Sequence, residues 1–340
     1  MSDQGDSRIP VTIVTGFLGS GKTTIIRHLL ADPRFANAAV IVNELGEIGI
    51  DHHLFRQTNE RIKLLRGGCA CCARRDDLVE ALLDLIRRVD RGELTLLDRV
   101  LLETTGLADP APILHTIAAD PVLSRRYRVE LAVATLDAVA GEAILETHAE
   151  ALRQVTAADV VVLTKCDLAA PEAAALLPGL VYQLNPAGAV IAADRGRFDP
   201  GCLLVDHFRT VDKRWNVINK GDIPRFRHGA EGTVSSLSLV YDEPLDWRML
   251  GLWLTMLLHC HGERVLRVKG LLDVGEAGPL LLEGVQHVVH APRHLRAWPD
   301  GDRRSRMVFI AREIDSDLIR ESFETFQALP GSVQQANNGP

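Results

Sequence analysis

Lys22 and Thr23 close the run GFLGSGKTT, in which Gly16, four further residues and then Gly-Lys-Thr reproduce the spacing of a phosphate-binding loop. Glycines at 16, 19 and 21 leave the backbone free to turn successive N–H groups toward phosphate oxygens. A helix opening near Lys22 adds the positive end of its dipole. Within the cradle of Gly16, Gly19, Ser20, Gly21, Lys22, Thr23 and Thr24, the Lys22 ammonium is suited to bridge two phosphates and the Thr23 hydroxyl to ligate magnesium. The apolar run Val11 to Val14 before the loop, and Ile25, Ile26, Leu29 and Leu30 after it, supply the strand and helix that such a loop needs.

Two other strand ends carry chemistry. A strand expected over Arg99 to Glu103 delivers Glu103 and then Thr104-Thr105-Gly106, the place of a second acidic element. Glu103 can hold a magnesium shell through Thr23 or water, and Gly106 can turn its N–H to a γ-phosphate. Lys22 and Glu103 are therefore the candidate catalytic residues. The run DVVVLTKCDL, Asp159 to Leu168, ends a further strand in Thr164, Lys165 and Asp167. Asp167 can accept from the N1 and N2 hydrogens of guanine while the Lys165 stem covers the base, which favours GTP over ATP. Thr164 stands where such loops carry asparagine, so the brace that an amide gives is expected to be lost. Asn185-Pro186 is either a wall of the base pocket or a simple turn.

Cys69, Cys71 and Cys72 fall within four positions. A disulfide framework spreads its cysteines, whereas a tight cluster of soft sulfur donors suits zinc or copper(I). Three sulfurs do not close a tetrahedral site, and neighbouring Cys71 and Cys72 point in different directions. Two of them with Glu44, Glu47 or His115 form an alternative donor set. A redox pair and a buried trio of small residues compete with metal. Cys166, Cys202 and Cys260 are expected to be small buried side chains. His52, His53 and His148 rank behind His115, and His287 and His290, three apart on one expected strand, fall on opposite faces.

The 340 residues are 46% hydrophobic and 24% charged with a net charge of −7, the composition of a globular chain without a nucleic-acid footprint. No apolar run reaches membrane length and the first residues are polar, which makes a cytoplasmic location and no membrane partner the default. β-branched runs at Val11 to Thr15, Ala39 to Asn43, Arg99 to Glu103, Val129 to Leu136, Asp159 to Thr164 and Ala189 to Ala193 alternate with helix-period stretches, among them Asp76 to Val89. The expected fold is α/β: a P-loop NTPase doubly wound, mostly parallel sheet over 8–205, a linker over 206–231, a smaller α+β domain over 232–329 and a disordered tail over 330–340. In the second domain, strands are expected at Ser235 to Tyr241, Arg264 to Leu272, Pro279 to His290 and Arg306 to Ala311, with helices at Leu245 to Leu258 and Asp315 to Leu329.

NELGEIGID (Asn43 to Asp51), GGCACC (Gly67 to Cys72), ETTGLADPAPI (Glu103 to Ile113) and VLTKCDL (Val162 to Leu168) resemble the signature blocks of the CobW family of P-loop GTPases, relatives of UreG and HypB. DEPLDW, RVKGLL, GVQHVVH and WPDGDRRSRMVFIAR, between Asp242 and Arg312, resemble the CobW C-terminal domain. The resemblance spans almost the whole chain. It implies a GTP-hydrolysing metallochaperone that uses GTP and magnesium, binds zinc (or cobalt) at the C-x-C-C site, and serves a client metalloprotein or the cobalamin and metal-insertion machinery. A nucleotide-dependent homo-oligomer is compatible with it. The histidine-rich stretch of many members is reduced here to FRHGAEG with His228. No glutamine follows Gly106 closely, so intrinsic turnover is expected to be slow. The competing functions are a P-loop small-molecule kinase with structural cysteines and a nucleotide-timed protein-docking module.

Overall fold

The computed structural model describes residues 6–43, 62–65, 71–94, 96–204, 225–228, 232–299 and 301–329. The chain divides into two compact units, 1–178 with 189–205, and 179–188 with 206–340. In the first, strands β1 (Ile9–Gly16), β2 (Ala38–Asn43), β3 (Ile62–Leu65), β4 (Arg99–Glu103), β5 (Tyr127–Asp137), β6 (Val160–Thr164) and β7 (Ala189–Ala192) form one sheet in the order β3-β2-β4-β1-β5-β6-β7. Every neighbouring pair is parallel. Parallel pairing needs crossovers that cover both faces, which is why Val100–Leu102 of β4 and Val160–Leu163 of β6 read as apolar runs.

Helices α1 (Lys22–Leu30), α2 (Cys71–Asp90), α3 (Ala111–Ala119), α4 (Leu123–Arg126), α5 (Gly141–Thr147), α6 (Ala149–Ala157) and α7 (Pro171–Leu184) belong to the stretch that carries this sheet. Ile25, Ile26 and Leu29 of α1 pack with Val14, Val40, Leu101, Val133 and Val162 in one core. Helix α2 begins at Cys71, five positions before the expected start, because the run Ala73-Arg74-Arg75-Asp76-Asp77 breaks the apolar recurrence that marks Leu78 onward. Its first turn holds no acidic residue, so Asp76 and Asp77 lie beyond the positive end that they were expected to occupy. The four-residue β3 was not expected either: a run as short as Ile-Lys-Leu-Leu gives no readable alternation.

The second unit holds an antiparallel sheet of β8 (Arg225–His228), β9 (Gly232–Tyr241), β10 (Val265–Leu272), β11 (Leu280–Val285), β12 (Val288–Val289), β13 (Arg293–His294) and β14 (Ser305–Arg312), in the order β12-β11-β10-β14-β9-β8 with β13 beside β11. Helices α8 (Trp247–His261) and α9 (Ser316–Gln327) cover one face. Leu250, Trp253, Leu254, Leu258, Ile319 and Phe323 meet Leu237, Val268, Leu282 and Phe309 there. Asp246 and Asp315 cap the two helices by accepting backbone N–H bonds. Strand β8 lies inside the stretch expected to be a linker, where it pairs with β9. The single strand expected over Pro279 to His290 is a hairpin, turned at Gln286 in the left-handed region (φ 50°). His287 and His290 therefore do not share one strand with alternating faces; the His287 Nδ1 lies 3.2 Å from the Leu258 carbonyl oxygen. Among the described residues no helix is long and apolar enough to cross a membrane.

Candidate functional site

The parallel register brings the chemistry to one level. Val14 pairs with Glu103, Val42 with Glu103, Gly16 with Thr135 and Asp137 with Thr164. Strand carboxyl ends thus deliver the phosphate loop, the acidic residue and the Thr164–Asp167 loop to the same edge of the sheet, where open α/β sheets bind ligands.

Gly16 has φ 141°, and a Cβ there would sit 2.2 Å from Thr135 Oγ1 and 2.5 Å from the Thr135 carbonyl oxygen. No side chain fits that position. The loop is held from beneath by the Ser20 and Thr135 hydroxyls, 2.6 Å apart, and by the Thr135 hydroxyl donating to the Thr15 carbonyl at 3.2 Å. The buried Lys22 donates to the carbonyl oxygens of Gly16 (3.0 Å) and Phe17 (3.1 Å), so its ammonium lies across the loop. Gly19 and Gly21 both have positive φ, and Thr24 is exposed at the start of α1. A charge held at the rim by two carbonyls can turn to phosphate oxygens with little loss of fold.

The Thr23 hydroxyl donates to Glu103 Oε1 at 2.7 Å, and Glu103 is 3% exposed. An alcohol and a buried carboxylate in contact beside a phosphate loop form a hard oxygen donor pair, which fits magnesium. Thr104 continues the contact by donating to Thr15 Oγ1 at 3.0 Å. Two residues on, a Cβ on Gly106 would meet Leu18 N at 2.7 Å and Leu18 Cα at 2.8 Å. The loop after β4 therefore rests directly on the phosphate loop, and only glycine permits it.

Thr164 is buried and its hydroxyl donates to the Ser20 carbonyl at 2.7 Å. This corrects the expectation of an unbraced loop: a hydroxyl on the shorter side chain ties the loop after β6 to the phosphate loop. Lys165 takes φ 57°, and its ammonium is bound to Asp137 Oδ2; Asp167 is exposed in the same loop. Sequence reasoning missed Asp137, although β5 ends in an acid just as β4 does. It also missed Thr135, whose signal, a hydroxyl in an apolar strand, is weak. Cys166, between Lys165 and Asp167, is half-buried; burial pushes its thiol above the ordinary range and keeps it protonated. Cys202 is half-buried as well, and Cys260 is exposed at the end of α8, contrary to the expectation of burial. Asn185 is fully buried; its backbone N–H donates to the Val181 carbonyl at 2.7 Å and its carbonyl accepts from the Gly188 N–H at 3.1 Å, which turns the chain after α7.

His115 is exposed on α3, and Cys71 and Cys72 are the first two residues of α2. Cys69, Glu44 and Glu47 lie outside the described residues. Asn43 pairs with Leu65 and Val42 with Glu103, so β3, β2 and β4 end at one level of the sheet.

A doubly wound parallel sheet with this loop, this acid and this third strand-end loop defines a P-loop GTPase. Residues 10–192 match the CobW/HypB/UreG nucleotide-binding domain, and residues 234–327 match the cobalamin synthesis protein cobW C-terminal domain. The chain belongs to the CobW family and is a GTPase. It is 36% identical over 318 residues to the zinc chaperone YjiA of Escherichia coli K12, covering 93% of this chain and 98% of that protein. The crystal structure of the zinc-bound YjiA GTPase from E. coli matches with a TM-score of 0.69 at 31% identity, over 94% of this chain and 99% of that one. A second zinc-bound YjiA structure, a variant with one glutamate and two consecutive cysteines replaced by alanine, also gives a TM-score of 0.69, at 30% identity over 94% and 99%.

Proposed function

We propose that this GTPase is a zinc chaperone in which GTP, bound with magnesium at Thr23 and Glu103, controls a zinc site built on the cysteine cluster and passes the ion to a client metalloprotein. The observation that carries the reading is the register: β3, β2 and β4, which in sequence precede the cysteines, Glu44 with Glu47, and Gly106, end at one level of the sheet beside the Thr23–Glu103 contact. A γ-phosphate that orders one of these segments changes the seat of the others. The donor set we favour is two sulfurs of Cys69, Cys71 and Cys72 completed by Glu44, Glu47 or His115, since three sulfurs alone do not close a tetrahedral site. Zinc stands ahead of cobalt on the relatives' names. Lys165 and Asp167 read guanine, and Lys22 stabilises the charge that develops on the phosphates.

Leu18, Leu107, Val139 and Leu168 are exposed, and all lie in loops that follow strand carboxyl ends. That apolar rim gives the client, or a second copy of the chain, a surface that changes with the nucleotide. The test is a zinc titration of the purified full chain loaded with a non-hydrolysable GTP analogue, with GDP, or with neither. Zinc affinity is expected to differ between the two nucleotide forms. Cys71→Ser with Cys72→Ser is expected to remove one zinc equivalent and that difference together. Equal affinity in all three forms overturns the coupling.

A further inference from the structure

Helix α6 carries a polar residue where its pattern calls for an apolar one. Ala151, Leu152 and Val155 are buried against the fold, and Gln154 among them is 1% exposed. Its Nε2 donates to the Gly106 carbonyl at 3.1 Å and to the Ala108 carbonyl at 3.0 Å. Its Oε1 is buried and has no hydrogen-bond partner among the described residues. The orientation is unambiguous, because the flipped amide would set an oxygen against two carbonyl oxygens. A buried amide that spends both hydrogens on one loop and leaves its acceptor unsatisfied is costly for the fold alone, which points to a role in placing that loop.

The same helix is registered on the phosphate loop. His148, its N-cap, stacks on Phe17 with ring centroids 4.4 Å apart, and Arg153 reaches Asp109 at 4.0 Å. Phe17 adjoins Leu18, against which Gly106 is packed. Helix α6 thus touches the phosphate loop at one end and the Gly106–Asp109 segment a turn and a half later.

We propose that Gln154 is a positioning residue for GTP hydrolysis: it fixes the Gly106–Ala108 backbone against Leu18 so that the Gly106 N–H is preset for the γ-phosphate, with the His148–Phe17 stack holding α6 in register. The proposal rests on the reading of Gly106 as the γ-phosphate contact. GDP offers no γ-phosphate, so the setting of this loop contributes to GTP affinity and turnover and leaves GDP affinity alone.

The test compares the affinities of the full chain for a non-hydrolysable GTP analogue and for GDP, with kcat and KM for GTP, in Gln154→Met, Gln154→Asn and Gly106→Ala. Methionine keeps the volume without the donors. Asparagine keeps the amide but falls one methylene short of the two carbonyls, and a thermal melt of each variant separates lost folding from lost positioning. Both Gln154 variants are expected to bind the analogue about ten- to a hundredfold more weakly, the weight of two neutral hydrogen bonds, and to lower kcat, with GDP affinity within about twofold of the parent. A purely structural role predicts equal losses for both nucleotides, or none, and either result overturns the proposal. The Gly106→Ala methyl would press on Leu18 of the phosphate loop, so that variant is read as the ratio of analogue to GDP affinity, the preference: if it removes the preference while both Gln154 variants keep it, the γ-phosphate reading stands and the role of Gln154 falls. If Gly106→Ala keeps the preference, the reading itself fails and the proposal with it.

Discussion

Each unit of the molecule buries a lysine, and the two are kept in opposite ways. Lys22 follows a glycine loop at a strand end and donates to two backbone carbonyls, neutral acceptors that a phosphate outcompetes. Lys269 sits in the middle of β10, 1% exposed, directly across from Glu283 on β11, with Nζ 3.9 Å from Oε1. The first cation is held in readiness for an anion from outside. The second meets its carboxylate within the sheet. Charge at a strand's carboxyl end is available to a ligand, whereas charge at a strand's centre, hemmed in by neighbours 4.7–4.9 Å away in a typical sheet, serves the fold.

That contrast breaks if the two lysines exchange behaviour. The largest effect is expected from Lys22→Ala, which should weaken GTP and GDP by about a hundredfold or more, since bonds to charged groups are the strong ones, with the melting temperature unchanged. Isothermal titration beside a thermal melt checks both halves. Thr164→Val comes next: it removes the donor to the Ser20 carbonyl and should weaken guanine nucleotides about three- to tenfold, read by competition binding. The smallest effect is expected from Lys269→Met, which keeps the volume and leaves a partly exposed Glu283 able to take up water, and so should alter unfolding free energy by about 1 kcal/mol in either direction. GTP turnover should be untouched. A Lys269→Met protein that folds but no longer hydrolyses GTP would erase the distinction.

The sites differ in how far the amino-acid order discloses them. The phosphate loop, Glu103 and Asp167 were legible because each is a short contiguous pattern at the end of an apolar run. The hydroxyls beneath the loop were not, because Ser20 meets Thr135 across 115 positions and Thr164 meets the Ser20 carbonyl across 144. Gln154 was hidden for the same reason: its partners lie 48 and 46 residues earlier. Element types were read well where periodicity was long, as in β9, β14 and α9. They were missed where the element was brief, as in β3 and β8, or where a turn without glycine or proline interrupted a strand, as at Gln286.

By itself the sequence determined the class of chemistry and the alternation of strands and helices, because local spacing and apolar pattern are enough to specify a glycine loop, a strand end or an amphipathic face. Only the tertiary structure decided which ends are neighbours. Parallel register set Glu103 against Thr23, laid Gly106 on Leu18 and aligned the ends of β2, β3 and β4. Contacts across that distance depend on how the crossovers pack the strands side by side, and no spacing along the chain records it.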